Sequence, residues 1–532
     1  MSTFPQRTFE DVREALLSKR EIALVDVREE DPHAQSHPLF AANLPFSKLE
    51  LEAYARLPRR SVPIVVLDAG EGLAERAAQR LAQLGYANVA LLDGGLEGWT
   101  RAGGEVFRDV NVPSKAFGEF VEAKLHTPAL SAETVEALLE SGEDVVVLDA
   151  RRFDEYRTMN IPGSISVPGA ELALRARALA PNPATRVIVN CAGRTRSIIG
   201  TQSLVNAGLP NPVAALRNGT IGWTLAGQAL EHGSARTFEP AAGRSAEDLR
   251  QSRAAARALA DRAGVTRTTL AHAARWAEDE SRTTYRFDVR TPAEYERAHA
   301  PGFRSAPGGQ LVQETEMFAP VRGARVVLFD DDGVRANMTA SWLAQMNIDT
   351  VVIDGATGAD ASESGAWRGP APVPADSPTV TPAELAALLD DDKSETLVLD
   401  VTASANYVKA HVPGAWWIIR SRLANDLRAL PEAKRYVVTC ASSALARFAA
   451  PDVAALTGKP VHVLEGGTSA WIAAGLPAED GDTRLASPRI DRYRRPYEGT
   501  DNAREAMNAY LEWEYGLVAQ LERDGTHGFF VI

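Results

Sequence analysis

Residues 187–197 read Val-Ile-Val-Asn-Cys-Ala-Gly-Arg-Thr-Arg-Ser, and an apolar, helix-compatible run follows as far as Gly208. Three β-branched residues in succession suit a strand buried on both faces. The polar stretch opening at Cys191 then feeds a helix. In open parallel α/β sheets, ligands gather at the carboxyl ends of strands, where such a loop meets a helix N-terminus. Cys191 therefore occupies the position where chemistry is expected.

The same unit recurs along the chain. A short strand ends in aspartate at Leu24-Val-Asp26, Val147-Leu-Asp149, Arg286-Phe-Asp288 and Val398-Leu-Asp400. Some forty residues later a second apolar strand follows, at 64–67, 187–190, 326–329 and 436–439. A loop, a helical stretch and a third strand come next, the last at 89–92, 213–216, 350–353 and 461–464. Three of the four copies end on a glycine-containing turn and a tryptophan: Trp99, Trp223 and Trp471. Fixed-period self-similarity defines a repeat architecture, and strands alternating with helical stretches define a parallel α/β fold. The residue opening the loop is Asp68, Cys191, Asp330 and Cys440 in turn, so both cysteines of the chain share one repeat position.

The repeats set the expected divisions. These are a domain over 1–110, a second over 125–235, a helical connector over 236–264, a third domain over 265–368 and a fourth over 378–480. A helical tail over 481–532 completes the chain. Ser245–Gly264 is rich in Ala and Arg, and 369–377 is a Pro-rich linker. In the tail, Asp501 or Asn502 is placed to cap a helix carrying Met507, Tyr510, Leu511, Trp513 and Leu517. That aromatic surface is expected to pack on a domain or a second subunit rather than to cover a site.

Composition narrows the functional classes. The chain has 532 residues, 45% apolar and 24% charged, with a net charge of −13 mixed along its length. A general nucleic-acid binder would carry a basic face. No apolar run reaches the ~18–20 residues of a membrane span. The N-terminus lacks the apolar core of a signal peptide. Two cysteines are too few for a disulfide-stapled secreted protein, so a reducing cytoplasm is expected. The nine histidines show no metal-ligand spacing, and cysteines on different domains make no zinc site. Asp330-Asp331-Asp332-Gly333 lacks the later oxygen ligands of a calcium loop.

These motifs resemble the rhodanese superfamily. The likeness rests on Leu148-Asp149-Ala150-Arg151 with Glu155-Tyr156 and Ile161-Pro162-Gly163. It extends to Asp288-Val289-Arg290 with Glu294-Tyr295 and His299-Ala300-Pro301-Gly302, and to Tyr407, His411 and Pro413-Gly414. Asp26-Val27-Arg28-Glu29 and the endings Gly94-Gly95…Trp99 and Gly466-Gly467…Trp471 complete it. The resemblance implies four domains, each a parallel five-stranded sheet flanked by helices. The order Asp, Cys, Asp, Cys is similar to two tandem rhodaneses in series. The implied activity is transfer of sulfane sulfur from a small anionic donor, thiosulfate or a persulfide, to a thiol or cyanide, without a cofactor and through a Cys191 persulfide. An acceptor protein is a further candidate partner; nucleic acid and membrane are not.

The residues of the loop bear on that chemistry. A helix N-terminus and converging N–H groups favour a thiolate, and Gly193 permits a tight turn. Arg194 and Arg196 are expected to add two cations for the thiolate and the donor. Ala192, Thr195 and Ser197 complete the anion-binding loop. The Cys440 loop, Ala-Ser-Ser-Ala-Leu, lacks glycine and arginine and stands as a possible second site. Asp68 and Asp330 form no persulfide, and their carboxylates are expected to occupy the anion cradle. Tandem rhodaneses carry an arginine where this chain has Glu155, leaving Arg194 and Arg196 to hold the donor. The alternatives are a non-catalytic scaffold, a sulfur carrier, or a phosphatase or arsenate reductase on the related fold. The last needs five residues between Cys and Arg, and here four separate Cys191 from Arg196.

Overall fold

The computed structural model describes residues 4–238, 245–391, 394–495 and 503–532. Its organising feature is one strand arrangement repeated four times. Each sheet has five parallel strands, and numbered within its own sheet the spatial order is 1-5-4-2-3. The fourth strand is central: Ile64–Leu67, Arg186–Asn190, Arg325–Phe329 and Arg435–Thr439. In the second sheet Val187, Ile188 and Val189 are fully buried, as helices cover both faces. Asp149, at the end of the neighbouring strand Val145–Asp149, lies in register with Asn190, one residue before Cys191.

The recurrent aspartate has a structural duty. Arg151 donates from Nε to Asp149 Oδ1 at 2.9 Å and from Nη2 to Oδ2 at 2.7 Å, then reaches Met159 O at 2.6 Å. This bidentate clamp fixes the chain leaving the second strand. Arg28–Asp26 and Arg290–Asp288 repeat it. The fourth domain has Thr402 instead, so buried Asp400 keeps one oxygen without a hydrogen-bond partner among the described residues, and burial pushes its carboxyl up to about 7. The tryptophans recur as clamps too. The indoles of Trp99, Trp223 and Trp471 donate to Glu105 O, Ala229 O and Pro477 O.

The domains do not pair in chain order. The turn Phe46–Lys48 of the first domain meets its counterpart Arg420–Arg422 of the fourth. Turn Gly169–Glu171 of the second meets helix Gly308–Gln313 of the third. Buried ion pairs lock both joints: Arg420 with Glu50 at 2.5 and 2.8 Å, and Arg335 with Glu171 at 2.8 Å.

Three elements outside the sheets bind the assembly. Helix Val112–Leu125 lies in the interval between the first two expected domains and packs along helix Thr195–Asn206. Gly118 permits the approach, since a Cβ there would lie 3.0 Å from Thr195 Cγ2. Helix Ala246–Arg262, capped by Ser245, packs on Arg335–Gln345 and Leu172–Leu179. The tail forms helices Ala503–Tyr515 and Leu517–Asp524. The proposed caps Asp501 and Asn502 lie outside the described residues. No helix among those described is long and apolar enough to cross a membrane.

Candidate active site

The four equivalent loops share one cradle. The main-chain N–H that opens each following helix points at the residue in the Cys191 position. In the first domain Ala74 N donates to Asp68 Oδ2 at 2.9 Å, and Gly70 N to Oδ1 at 3.0 Å. In the third, Ala336 N donates to Asp330 Oδ2 at 2.8 Å and Gly333 N to Oδ1 at 3.0 Å. Carboxylates thus fill the cradle in these two domains. In the other two, the N–H groups of Ser197 and Ala446 are directed at Cys191 and Cys440. A closing glycine makes the cradle possible. Gly95, Gly219 and Gly467 have φ of +58°, +54° and +62°, and a Cβ on them would meet the carbonyls of Asp68, Cys191 and Cys440 at 2.8, 2.3 and 2.1 Å.

Cys191 is 2% exposed. Its thiol donates to Ser197 Oγ at 3.4 Å, and Ser197 in turn donates to Arg194 O at 2.8 Å. Thr220 N and Ile221 N hold the Cys191 and Ala192 carbonyls at 2.9 Å. The expectation of a lowered thiol pKa is not met. Burial is the largest influence and pushes the Cys191 thiol up, while Arg196 and the Ser197 hydroxyl and N–H pull it only partly back.

The two loop arginines also differ from expectation. Arg194 is not a cation waiting for substrate. It is held by Glu119 at 2.7 and 2.8 Å, by Glu122, and by Asn218 and Tyr515 at 3.0 and 3.2 Å. Burial pulls the Glu119 carboxyl up, while that carboxylate holds Arg194 well above its ordinary range; the bidentate geometry fixes the pair as ionised. Arg196 acts on Cys191 through its field, and its Nη1 donates to Glu155 Oε2 at 2.5 Å. Glu155 thus supplies a counter-ion to Arg196, and the arginine holds its carboxyl down to about 2.

A pocket of about 40 Å³ opens over Cys191, walled by loop residues Ala192–Arg196, Lys115 and the tail residues Tyr510 and Glu514. This volume suits a small anion and excludes a nucleotide. The tail does more than was expected of it: helix Ala503–Tyr515 packs on Gly219–Leu225 and Val112–Leu125, and it covers the site. Glu119, Glu122, Lys115, Glu514 and Tyr515 were missed from the sequence. The one signal was a run of charged residues, Lys115, Glu119 and Glu122, on a helix with few exposed positions.

Cys440 is 4% exposed and embedded among Val438, Ala446 and Val463. Leu445 stands where Arg196 stands, so burial raises this thiol with only main-chain N–H groups from Ala446, Ser442 and Leu445 opposing it.

A central cysteine cradled between a parallel strand and a helix, four times over with two carboxylate replacements, defines a rhodanese-type protein. The rhodanese-like domain model matches residues 8–102, 131–226, 271–359 and 381–474, and the chain belongs to that family. The structure is similar over 99% of this chain to the whole of a thiosulfate sulfurtransferase from Pseudomonas aeruginosa, with 67% sequence identity and a TM-score of 0.97. Among curated proteins, 84 residues (16% of this chain) are 31% identical to the thiosulfate sulfurtransferase GlpE of Coxiella burnetii, spanning 77% of it. A 136-residue match (24% of this chain) is 25% identical to the putative sulfur carrier protein YrkF of Bacillus subtilis, spanning 72% of it.

Proposed function

We propose that the chain is a thiosulfate sulfurtransferase whose sulfur is carried on Cys191. The observation that carries this reading is the second loop, which alone of the four combines a cysteine in the cradle with a cation, Arg196, acting on its sulfur. The thiol gives its proton to solvent, and the thiolate attacks the outer sulfur of thiosulfate. The S–S bond breaks, its electron pair leaves with sulfite, and a Cys191 persulfide anion remains in the field of Arg196 and the Ser197 N–H. A thiol or cyanide then attacks the outer persulfide sulfur and returns Cys191 as a thiolate. No cofactor enters either step.

The first and third domains serve as structural partners, with Asp68 and Asp330 satisfying their own loops. Cys440, without a nearby cation, is at most a slow second site. A cytoplasmic setting suits a thiol that has to stay reduced. Thiocyanate release from thiosulfate and cyanide tests the assignment. Wild type and Cys440→Ser should turn over comparably, and Cys191→Ser should fall to background. Equal activity in Cys191→Ser would defeat the reading by placing the sulfur elsewhere, and no turnover in wild type would favour a scaffold. Hydrolysis of a small aryl phosphate would favour the phosphatase alternative.

A further inference from the structure

The Cys191 pocket has a wall that none of the four sheets supplies. Glu514, on tail helix Ala503–Tyr515, is 1% exposed and lines that pocket. Tyr510 donates its hydroxyl to Glu514 Oε1 at 3.0 Å. Among the described residues Glu514 Oε2 has no hydrogen-bond partner, and a Cβ on Gly193 would lie 3.4 Å from it. The unpartnered oxygen therefore faces the anion loop.

The charges around it are already spoken for. Lys115 is bound to Asp109 at 2.7 Å, Arg194 to Glu119 and Glu122, and Arg196 to Glu155, which also lies 3.8 Å from Arg495. Burial and Glu119 push the Glu514 carboxyl up to about 8, against the pull of Lys115, Arg194 and the Tyr510 hydroxyl. Near neutral pH the group is an acid with an O–H to give. An ionised Glu514 would add an uncompensated negative charge to a pocket that has to admit an anion.

We propose that Glu514 is a donor-binding residue: its neutral carboxyl donates a hydrogen bond to an oxyanion oxygen of the sulfur donor, and its ionisation expels that donor. The inference rests on the sulfurtransferase reading and names a residue that gates its first half-reaction. An O–H···O⁻ bond is short and strong, and the arrangement recognises a sulfonate-type oxyanion by donation without committing a further cation.

The pH dependence of each half-reaction tests it. Because the Cys191 thiolate fraction itself climbs with pH, persulfide formation from sub-saturating thiosulfate should stay nearly level above pH ~8 in wild type, the ionisation of Glu514 offsetting that climb. In Glu514→Gln, which can still donate but not ionise, the rate should instead climb with the thiolate, so that wild type falls behind the variant by about tenfold per pH unit above pH ~8. Discharge of the preformed persulfide by cyanide should be the same in both. A readout independent of turnover is sulfate binding to Cys191→Ser, since the charge of sulfate is constant over this range. Its affinity should weaken about tenfold between pH ~7 and pH ~9, and should not weaken in Cys191→Ser/Glu514→Gln. A wild-type to Glu514→Gln rate ratio that does not change with pH, or sulfate affinity lost equally in both backgrounds, overturns the proposal. Absence of persulfide in wild type would instead strike at the sulfurtransferase reading, and the sulfate measurement would still decide the role of Glu514.

Discussion

Cys191 works against its own burial. A thiol at 2% exposure resists ionisation, and what opposes that resistance is Arg196 together with Ser197. Replacing Arg196 by methionine should therefore raise the thiol further. The pH midpoint for alkylation of Cys191 by iodoacetamide should move upward by about one unit or more, and the rate near neutrality should drop correspondingly. Glu155 gives a second test through stability. Its carboxyl is held from an ordinary 4.5 down to about 2 by Arg196, so the pair contributes fully above the unfolded value. That contribution is lost as pH falls through the folded one. The shift corresponds to an upper figure on the order of 3 kcal/mol. Urea unfolding should show Glu155→Gln less stable than wild type near neutrality, with the gap closing as pH falls from about 4.5 towards about 2. A gap independent of pH would remove the ion pair as its cause.

At the scale of elements, the helix Val112–Leu125 is the main support of the Cys191 loop. Glu119 grips Arg194 through both oxygens while nearly all of the helix face is buried. Glu119→Gln should cost about 3–5 kcal/mol, because it leaves the Arg194 charge buried with only Glu122 to answer it. It should also slow persulfide formation by loosening the loop. Full stability in this variant would show the pair to be dispensable. What the sequence made legible follows from the same contrast of local and distant. Strand, loop and helix are contiguous, so the apolar run before Cys191 and the recurrent Asp149 and Asp288 were enough to place the sheets and the cradle. Glu119 lies 75 residues from Arg194, and Tyr515 lies 321 from it. No periodicity connects such partners. The two arginines therefore read as substrate cations when one of them is a structural post. The thiol pKa was misread because the cradle itself buries the sulfur, leaving Cys191 at 2% and Cys440 at 4% exposure, and no local pattern weighs that desolvation against the field of Arg196.

At the scale of the whole molecule, the first domain pairs with the fourth and the second with the third, and the Ile22–Arg322 bridge and the Tyr285 hydroxyl on Arg56 O tie the first to the third, which makes the chain one interlocked body. Arg420, fully buried, depends on Glu50 across the first joint, with Asp452 at 2.8 Å as its second partner. Glu50→Gln should cost about 3–5 kcal/mol and split a single unfolding transition into two, as followed by calorimetry. A single unshifted transition would contradict that coupling. The assembly also places both cysteines of the chain in buried, equivalent cradles, only one of them with an arginine at hand. With no third thiol to confuse the count, intact-protein mass after incubation with thiosulfate is the most direct test of the central claim. Wild type and Cys440→Ser should each gain one sulfur atom, and Cys191→Ser should gain none. No sulfur gained by wild type, or a sulfur gained by Cys191→Ser but not by Cys440→Ser, would contradict the assignment of Cys191 as the carrier.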